Sequence, residues 1–132
     1  MGGEAVRTPE QLIADTAPFP DKLVQKLPPR GDSYVPWYEY AQRLLLHHPD
    51  YSWTVTTIVA GANGWAVAGD LRLEKDGPCY SGTGEDAESV ASAESQAYKR
   101  ACAKAGIGLH LYDEDGYWLH GRLVKGNDDV ES

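Results

Sequence analysis

Residues 87–112 read AESVASAESQAYKRACAKAGIGLHLY, and their spacing predicts one amphipathic helix closed by glycine and followed by a short apolar strand or turn. At 100° per residue, Ala87, Val90, Ala91, Tyr98, Ala101, Cys102 and Ala105 share one arc, as a helix with one buried face requires. Small residues dominate that arc, so another backbone can approach closely. Lys99, Arg100 and Lys104 lie off it and put three positive charges on the last two turns. Cations there complement the helix dipole and could also meet a phosphate backbone. Gly106 is suited to the left-handed residue that ends a helix, with Gly108 just beyond it. Glu94 falls within the arc, where a carboxylate needs either a His or Arg partner or a neighbouring subunit.

Three strands should precede this helix. Ser52–Ala60 places Trp53, Val55, Thr57 and Val59 on one face, and Trp65–Lys75 alternates Trp65, Val67, Gly69, Leu71 and Leu73. Gly61–Gly64 is turn chemistry, Asp76-Gly77 signals a second hairpin, and Pro78–Thr83 supplies a short third strand. The long helix should begin near Asp86. Upstream, Trp37–His48 carries Trp37, Tyr40, Ala41, Leu44, Leu45 and His48 at helical spacing, with Pro36 at its first turn. A shorter helix from Pro9 to Thr16 is capped by Thr8. The expected class is α+β: a leading helix, a three-stranded antiparallel sheet, and a long basic-ended helix packed on it in a β-β-β-α unit. The expected division is an arm over residues 1–33, a core over 34–120 and an acidic, flexible tail over 121–132. Residues 1–8 and 126–132 are expected to be dispensable for folding.

A chain of 132 residues with 42% hydrophobic content suits one domain with a modest core. No apolar run approaches the ~20 residues that a membrane helix needs. The N-terminus lacks the apolar stretch of a secretory signal. Cys79 and Cys102 lack metal-ligand spacing and read as reduced thiols in a cytoplasmic protein. The net charge of −8 argues against generic nucleic-acid binding. Its distribution tells more: residues 99–112 hold three positive charges and no acid, whereas 84–98 hold four acids and no base, and 113–132 hold six acids against two bases. A local positive groove can survive a negative total.

The run AESQAYKRACAKAGIGLHLY resembles the signature of single-strand annealing proteins of the RAD52 superfamily, phage and bacterial members included. In these, a small-residue helix carries a Lys-Arg pair, then an apolar-Gly ending and a short aliphatic-Tyr stretch. The likeness extends upstream through YVPWYEYAQRLL, the Trp53 strand and LRLEKDGPCYSGTGED, covering roughly Pro18 to Trp118. It implies a homo-oligomeric ring or filament that binds single-stranded DNA without ATP and anneals complementary strands in recombination and repair. Lys99 and Arg100 match the family's phosphate-binding pair; Lys104 is one position from where some members place a further base. Glu39 stands where eukaryotic members have an arginine that lines the groove, so either Arg43 is the cation that compensates or the groove of this protein differs. Self and single-stranded DNA are the implied partners, with a single-strand DNA-binding protein as a further candidate.

Beside the resemblance stand the residues themselves. Six rings between Tyr34 and Trp53 could stack bases at about 1–3 kcal/mol each. Trp53 and Tyr40 lie on apolar faces and are expected to pack in the core. Trp37 and Tyr38 are expected to be exposed, because one helix face cannot bury both. Asp113-Glu114-Asp115 lacks the interleaving of a calcium loop, His47-His48 with Asp50 is too crowded for zinc, and Ser81–Gly84 lacks the Lys-Ser/Thr of a phosphate loop. No cofactor, no metal and no enzyme activity are expected. Two other readings stay open, with a metal-dependent nuclease built on the carboxylates a remote third. One is an oligomeric adaptor without DNA binding, suggested by the charge and Glu39. The other is a double-stranded RNA-binding module, whose last helix should present bases at its N-terminal end, where this chain has Glu85, Asp86 and Glu88.

Overall fold

The computed structural model describes residues 7–27, 32–112, 117–119 and 122–124. In chain order it contains α1 (Pro9–Thr16), a short antiparallel pair β1 (Gln25–Leu27) and β2 (Asp32–Tyr34), α2 (Trp37–His47), β3 (Ser52–Gly61), β4 (Gly64–Arg72), β5 (Cys79–Asp86) and α3 (Val90–Lys104). A 3-10 turn over Leu109–Tyr112 and a second short pair, β6 (Tyr117–Leu119) and β7 (Arg122–Val124), follow. The expected α+β class holds. β3, β4 and β5 form one antiparallel sheet in that order, and α3 packs on β5 and β4.

The contact between α3 and β5 is made by backbone. Ala93, Ala97 and Ala101 are fully buried at every fourth position of α3, and they sit on Gly82 and Gly84 of β5. A Cβ at Gly82 would lie 2.0 Å from the Ala97 carbonyl oxygen, and one at Gly84 would lie 2.2 Å from that of Ala93. Glycine at alternate strand positions opposite alanine at successive helical turns is what lets the helix come this close. The buried stripe is therefore rotated from the expected arc: Ala87, Val90 and Ala91 are exposed, while Tyr98, Cys102 and Ala105 are buried as anticipated. The helix also begins later. Asp86 ends β5, and its carboxylate accepts hydrogen bonds from the Glu88 and Ser89 amides, so that Ser89 becomes the N-cap. At the other end the Ile107 amide donates to the Cys102 carbonyl and the Gly106 amide to that of Ala103, with Gly106 at φ +99°. This is the glycine-terminated six-to-one closure expected from the sequence.

β3 departs from its expected alternation. Val55 pairs with Gly69 but Thr57 pairs with Ala68, leaving Thr56 as a bulge. The extra residue switches faces, so Ile58 replaces Thr57 on the side facing α3. Because α3 lies over β5 and β4, this half of β3 is uncovered: Ile58 is 55% and Val59 53% exposed. β4 ends at Arg72 rather than Lys75, since Arg72 turns its guanidinium onto the Gly77 carbonyl (2.6 Å) to close the loop to β5. β5 runs past Thr83 to Asp86.

The main core gathers Phe19, Val35, Tyr40, Leu44, Leu71, Leu73, Tyr98, Cys102 and Ile107. Fully burying each of Leu44, Leu71 and Ile107 contributes about 1.5–3 kcal/mol. Tyr40 packs here as expected, 4.9 Å from Phe19 ring to ring. Trp53 is half-buried against the same cluster. Phe19 is 2% exposed, so the folded unit extends upstream of residue 34 and the region expected to be an arm contributes to the core. α1 has the anticipated bounds, and Thr8 and Gln11 cap each other reciprocally. The acidic run at 113–115 and residues 125–132 lie outside the described residues.

Candidate nucleic-acid interface

α3 and α2 carry the residues singled out as DNA contacts, and the fold sorts them into four groups. Arg100 and Lys104 are one turn apart and both exposed, on the flank of α3 that overlooks the edge of β5. Arg100 donates to the Thr83 carbonyl at 2.9 Å and borders a shallow hollow on the far face of the sheet with Thr57, Val59, Ala68 and Thr83. Lys99 points the other way. Its ammonium is half-buried, donates to the Val35 carbonyl at 3.3 Å and lies 5.3 Å from the centroid of the Tyr34 ring. Burial holds its pKa below the usual lysine value.

Trp37 and Tyr38 form the third group, 50% and 47% exposed. They meet edge to face at 6.1 Å, and Trp37 meets Tyr98 in the same way at 6.3 Å. Tyr98 in turn contacts Trp53 at 5.3 Å, so a run of rings leads from the core to the surface at the start of α2. Glu94, expected to find a His, an Arg or a neighbouring subunit, instead accepts the indole N–H of Trp53 at 3.0 Å and remains exposed.

Arg43 requires a correction. It was the cation expected to offset Glu39 in a phosphate groove, but its guanidinium donates to the carbonyls of Asp15 (3.2 Å) and Ala17 (2.6 Å) and lies 4.2 Å over the Phe19 ring. It ties α1 to α2, with Nη1 committed to two backbone carbonyls and one face of the guanidinium set on Phe19. Sequence spacing could not show this, because the partners are 26 and 28 residues away.

The same junction holds a polar cluster that sequence reasoning missed. Asp15 is fully buried and accepts from Arg7 (3.0 Å), His47 Nδ1 (2.9 Å) and His48 Nε2 (2.7 Å). His48, also fully buried, places its other nitrogen 3.1 Å from Glu74. Arg7 reaches on to the Tyr80 hydroxyl at 3.3 Å. Burial alone would raise the Asp15 carboxyl, but the hydrogen bonds from His48, His47 and Arg7 outweigh it and hold the pKa below the ordinary carboxylate value. The available signal was weak: one acid among the inward positions of a short helix. Among the described residues no group of three or more His, Cys, Asp or Glu side chains is arranged to hold a metal ion. Arg7 and Thr8 thus make contacts with the folded unit, within the stretch 1–8 expected to be dispensable, whose residues 1–6 lie outside the described residues.

His110 and Cys102 are perturbed as well. His110 is buried beside Phe19, neither ring nitrogen has a partner among the described residues, and burial together with the Arg43 charge pushes its pKa down to about 4. Cys102 is packed against the core, and burial raises its thiol well above the usual value. Cys79 is exposed and unpaired. No helix among the described residues is long and apolar enough to cross a membrane.

No protein-family profile matches the chain. It is 29% identical over 109 residues to DNA repair RAD52-like protein 1, mitochondrial, of Arabidopsis thaliana, an alignment covering 73% of this chain and 62% of that protein. It is 27% identical over 111 residues to DNA repair RAD52-like protein 2, chloroplastic, of the same plant, covering 73% and 56%. The chain thus spans less than two thirds of either relative. At this low identity the two plant proteins support the RAD52 superfamily resemblance, without bearing on a phage or bacterial type.

Proposed function

We propose that this chain is a single-strand annealing module of DNA repair and recombination. It binds single-stranded DNA as a homo-oligomer and brings complementary strands together without ATP and without making or breaking bonds. The observation that carries this reading is the similarity to two RAD52-like DNA repair proteins over 73% of the chain. The geometry fits it. Arg100 and Lys104 offer phosphates an exposed flank on a rigid helix, while Trp37 and Tyr38 offer bases two exposed ring faces. Annealing asks for no nucleophile. It asks for neutralised phosphates and bases left able to pair.

One subunit offers too few cations for tight binding. The two contacts at Arg100 and Lys104 would give a salt slope of only about −1.4 on a single strand. Repetition around an oligomer multiplies both affinity and salt dependence. The test is a fluorescence-anisotropy salt titration with single- and double-stranded oligonucleotides beside a native mass measurement. A large oligomer that prefers single strands, and releases them as salt rises, is the expected result. A monodisperse 14.4 kDa monomer that ignores both DNAs at low salt refutes it. An oligomer that binds no DNA would make the chain an adaptor, the reading that the net charge of −8 favours.

A further inference from the structure

Lys99 and Arg100 are neighbours in sequence yet do different things in the fold. Arg100 is exposed over the β5 edge. Lys99, a third of a turn around α3, is half-buried and already has two partners, the Val35 carbonyl and the face of the Tyr34 ring. Those partners sit at a mechanically important place. Val35 is fully buried, Pro36 is the N-cap of α2, and Trp37 and Tyr38 follow at once. The Glu39 amide closes this entry by donating to the Pro36 carbonyl at 3.1 Å. A long lysine side chain loses rotamer freedom when it is held in this way, and swinging out to a phosphate would forfeit both contacts that compensate for it.

We propose that Lys99 is a positioning residue for the exposed aromatic pair, not a phosphate ligand: its ammonium staples the Tyr34–Val35 segment to α3 and so fixes where α2 begins and where Trp37 and Tyr38 stand. This rests on the annealing function proposed above only in its DNA arm. The staple itself is a property of the free protein. Phosphate binding on α3 then falls to Arg100 and Lys104, and the two halves of the Lys-Arg pair have separable effects.

The experiment compares Lys99→Met, Tyr34→Leu and Arg100→Met in the full chain. Amide hydrogen exchange over residues 39–41 is read without DNA, and affinity for an oligothymidylate is read across a salt series. Lys99→Met is expected to speed exchange at the start of α2 by about tenfold, the loss of one charged hydrogen bond and one cation–π contact. It should weaken oligothymidylate binding with the salt slope unchanged. Tyr34→Leu, which leaves every charge in place, should act in the same direction. Arg100→Met should leave that exchange alone and lower the slope by ~0.7, the value of one single-strand phosphate contact. A slope that falls in Lys99→Met as much as in Arg100→Met overturns the assignment. So does unchanged exchange at residues 39–41 in Lys99→Met. If the parent protein binds no oligothymidylate, the annealing reading fails, while the exchange arm still decides whether the staple exists.

Discussion

Gly82→Ala is the substitution that tests most directly why this sequence adopts this fold. The added Cβ would stand 2.0 Å from the Ala97 carbonyl oxygen and 2.7 Å from the Ala101 amide nitrogen. Ordinary contact needs about 3.4 Å, so α3 would have to retreat by roughly 1.4 Å. Both obstructing atoms are helix backbone, which cannot rotate aside as a side chain could. The helix must lift as a body, opening a gap under Ala93, Ala97 and Ala101, all now fully buried. A gap of even 0.5–1 Å forfeits about a quarter to a half of the dispersion energy along that stripe. The expected loss is about 3 kcal/mol, the upper end for overpacking, or a fall in melting temperature of about 10 °C for a chain of this size. Gly61→Ala is the control, since a Cβ there meets nothing within 4 Å, and it should stay within about 0.5 kcal/mol of the parent. Urea denaturation followed by far-ultraviolet circular dichroism compares the two. If Gly82→Ala unfolds at the same urea concentration as Gly61→Ala, the backbone contact between β5 and α3 does not hold the fold.

Acid should destabilise the protein in two stages. His110 has a folded pKa of about 4 against 6.5 unfolded, so the unfolded chain takes up its proton first; stability is full above 6.5 and falls toward pH 4 by on the order of 2–3 kcal/mol. The Asp15 carboxyl is lowered, so its contribution is complete above its unfolded pKa and is lost below that, as pH falls through the folded value. His110→Phe should flatten the first stage in a melting-temperature series across pH; an unchanged slope would show that His110 finds a proton acceptor. Arg7→Met with Thr8→Ala should cost about 2 kcal/mol by urea titration, the sum of a lost N-cap and one lost donor to a buried carboxylate, and a change under 0.5 would place both outside the fold. Ile58→Lys with Val59→Glu charges the uncovered half of β3 and should break the proposed oligomer by native mass while leaving circular dichroism intact. An oligomer of unchanged size would put the subunit contact elsewhere.

What could be read from the sequence was what local chemistry decides. The start of α1 followed from Thr8, and the closure of α3 followed from Gly106, because a cap is complete within one turn. The placing of Tyr40 in the core followed from helical spacing alone. The phase of α3 did not, because alanines at 87, 91, 93, 97, 101, 103 and 105 allow several stripes, and only Gly82 and Gly84 across the interface select one. Those glycines, two apart in a strand, were the available signal that one face would be met by backbone. The bulge at Thr56 has no local mark at all, being forced by how β3 pairs with β4. Arg43, Asp15 and the two histidines were beyond reach for the same reason: each contact joins segments more than 25 residues apart, and nothing in a single element reports its partner.

The proposed interface is held by two unlike kinds of contact, and the difference suits annealing. The Arg100–Lys104 flank belongs to a helix seated backbone to backbone on β5, so the backbone that carries both cations is fixed on the fold. Trp37 and Tyr38 depend on side chains, the edge contact between Trp37 and Tyr98 and the proposed Lys99 hold on Val35 and Tyr34, and about half of each ring is left open to solvent. A protein that must store a strand needs both phosphates and bases gripped. A protein that must hand bases to an incoming complement needs the first gripped and the second merely guided. In the proposed function, cations on a fixed helix grip the phosphates while half-open rings guide the bases, and the net charge of −8 lowers affinity for DNA and so favours release of a finished duplex.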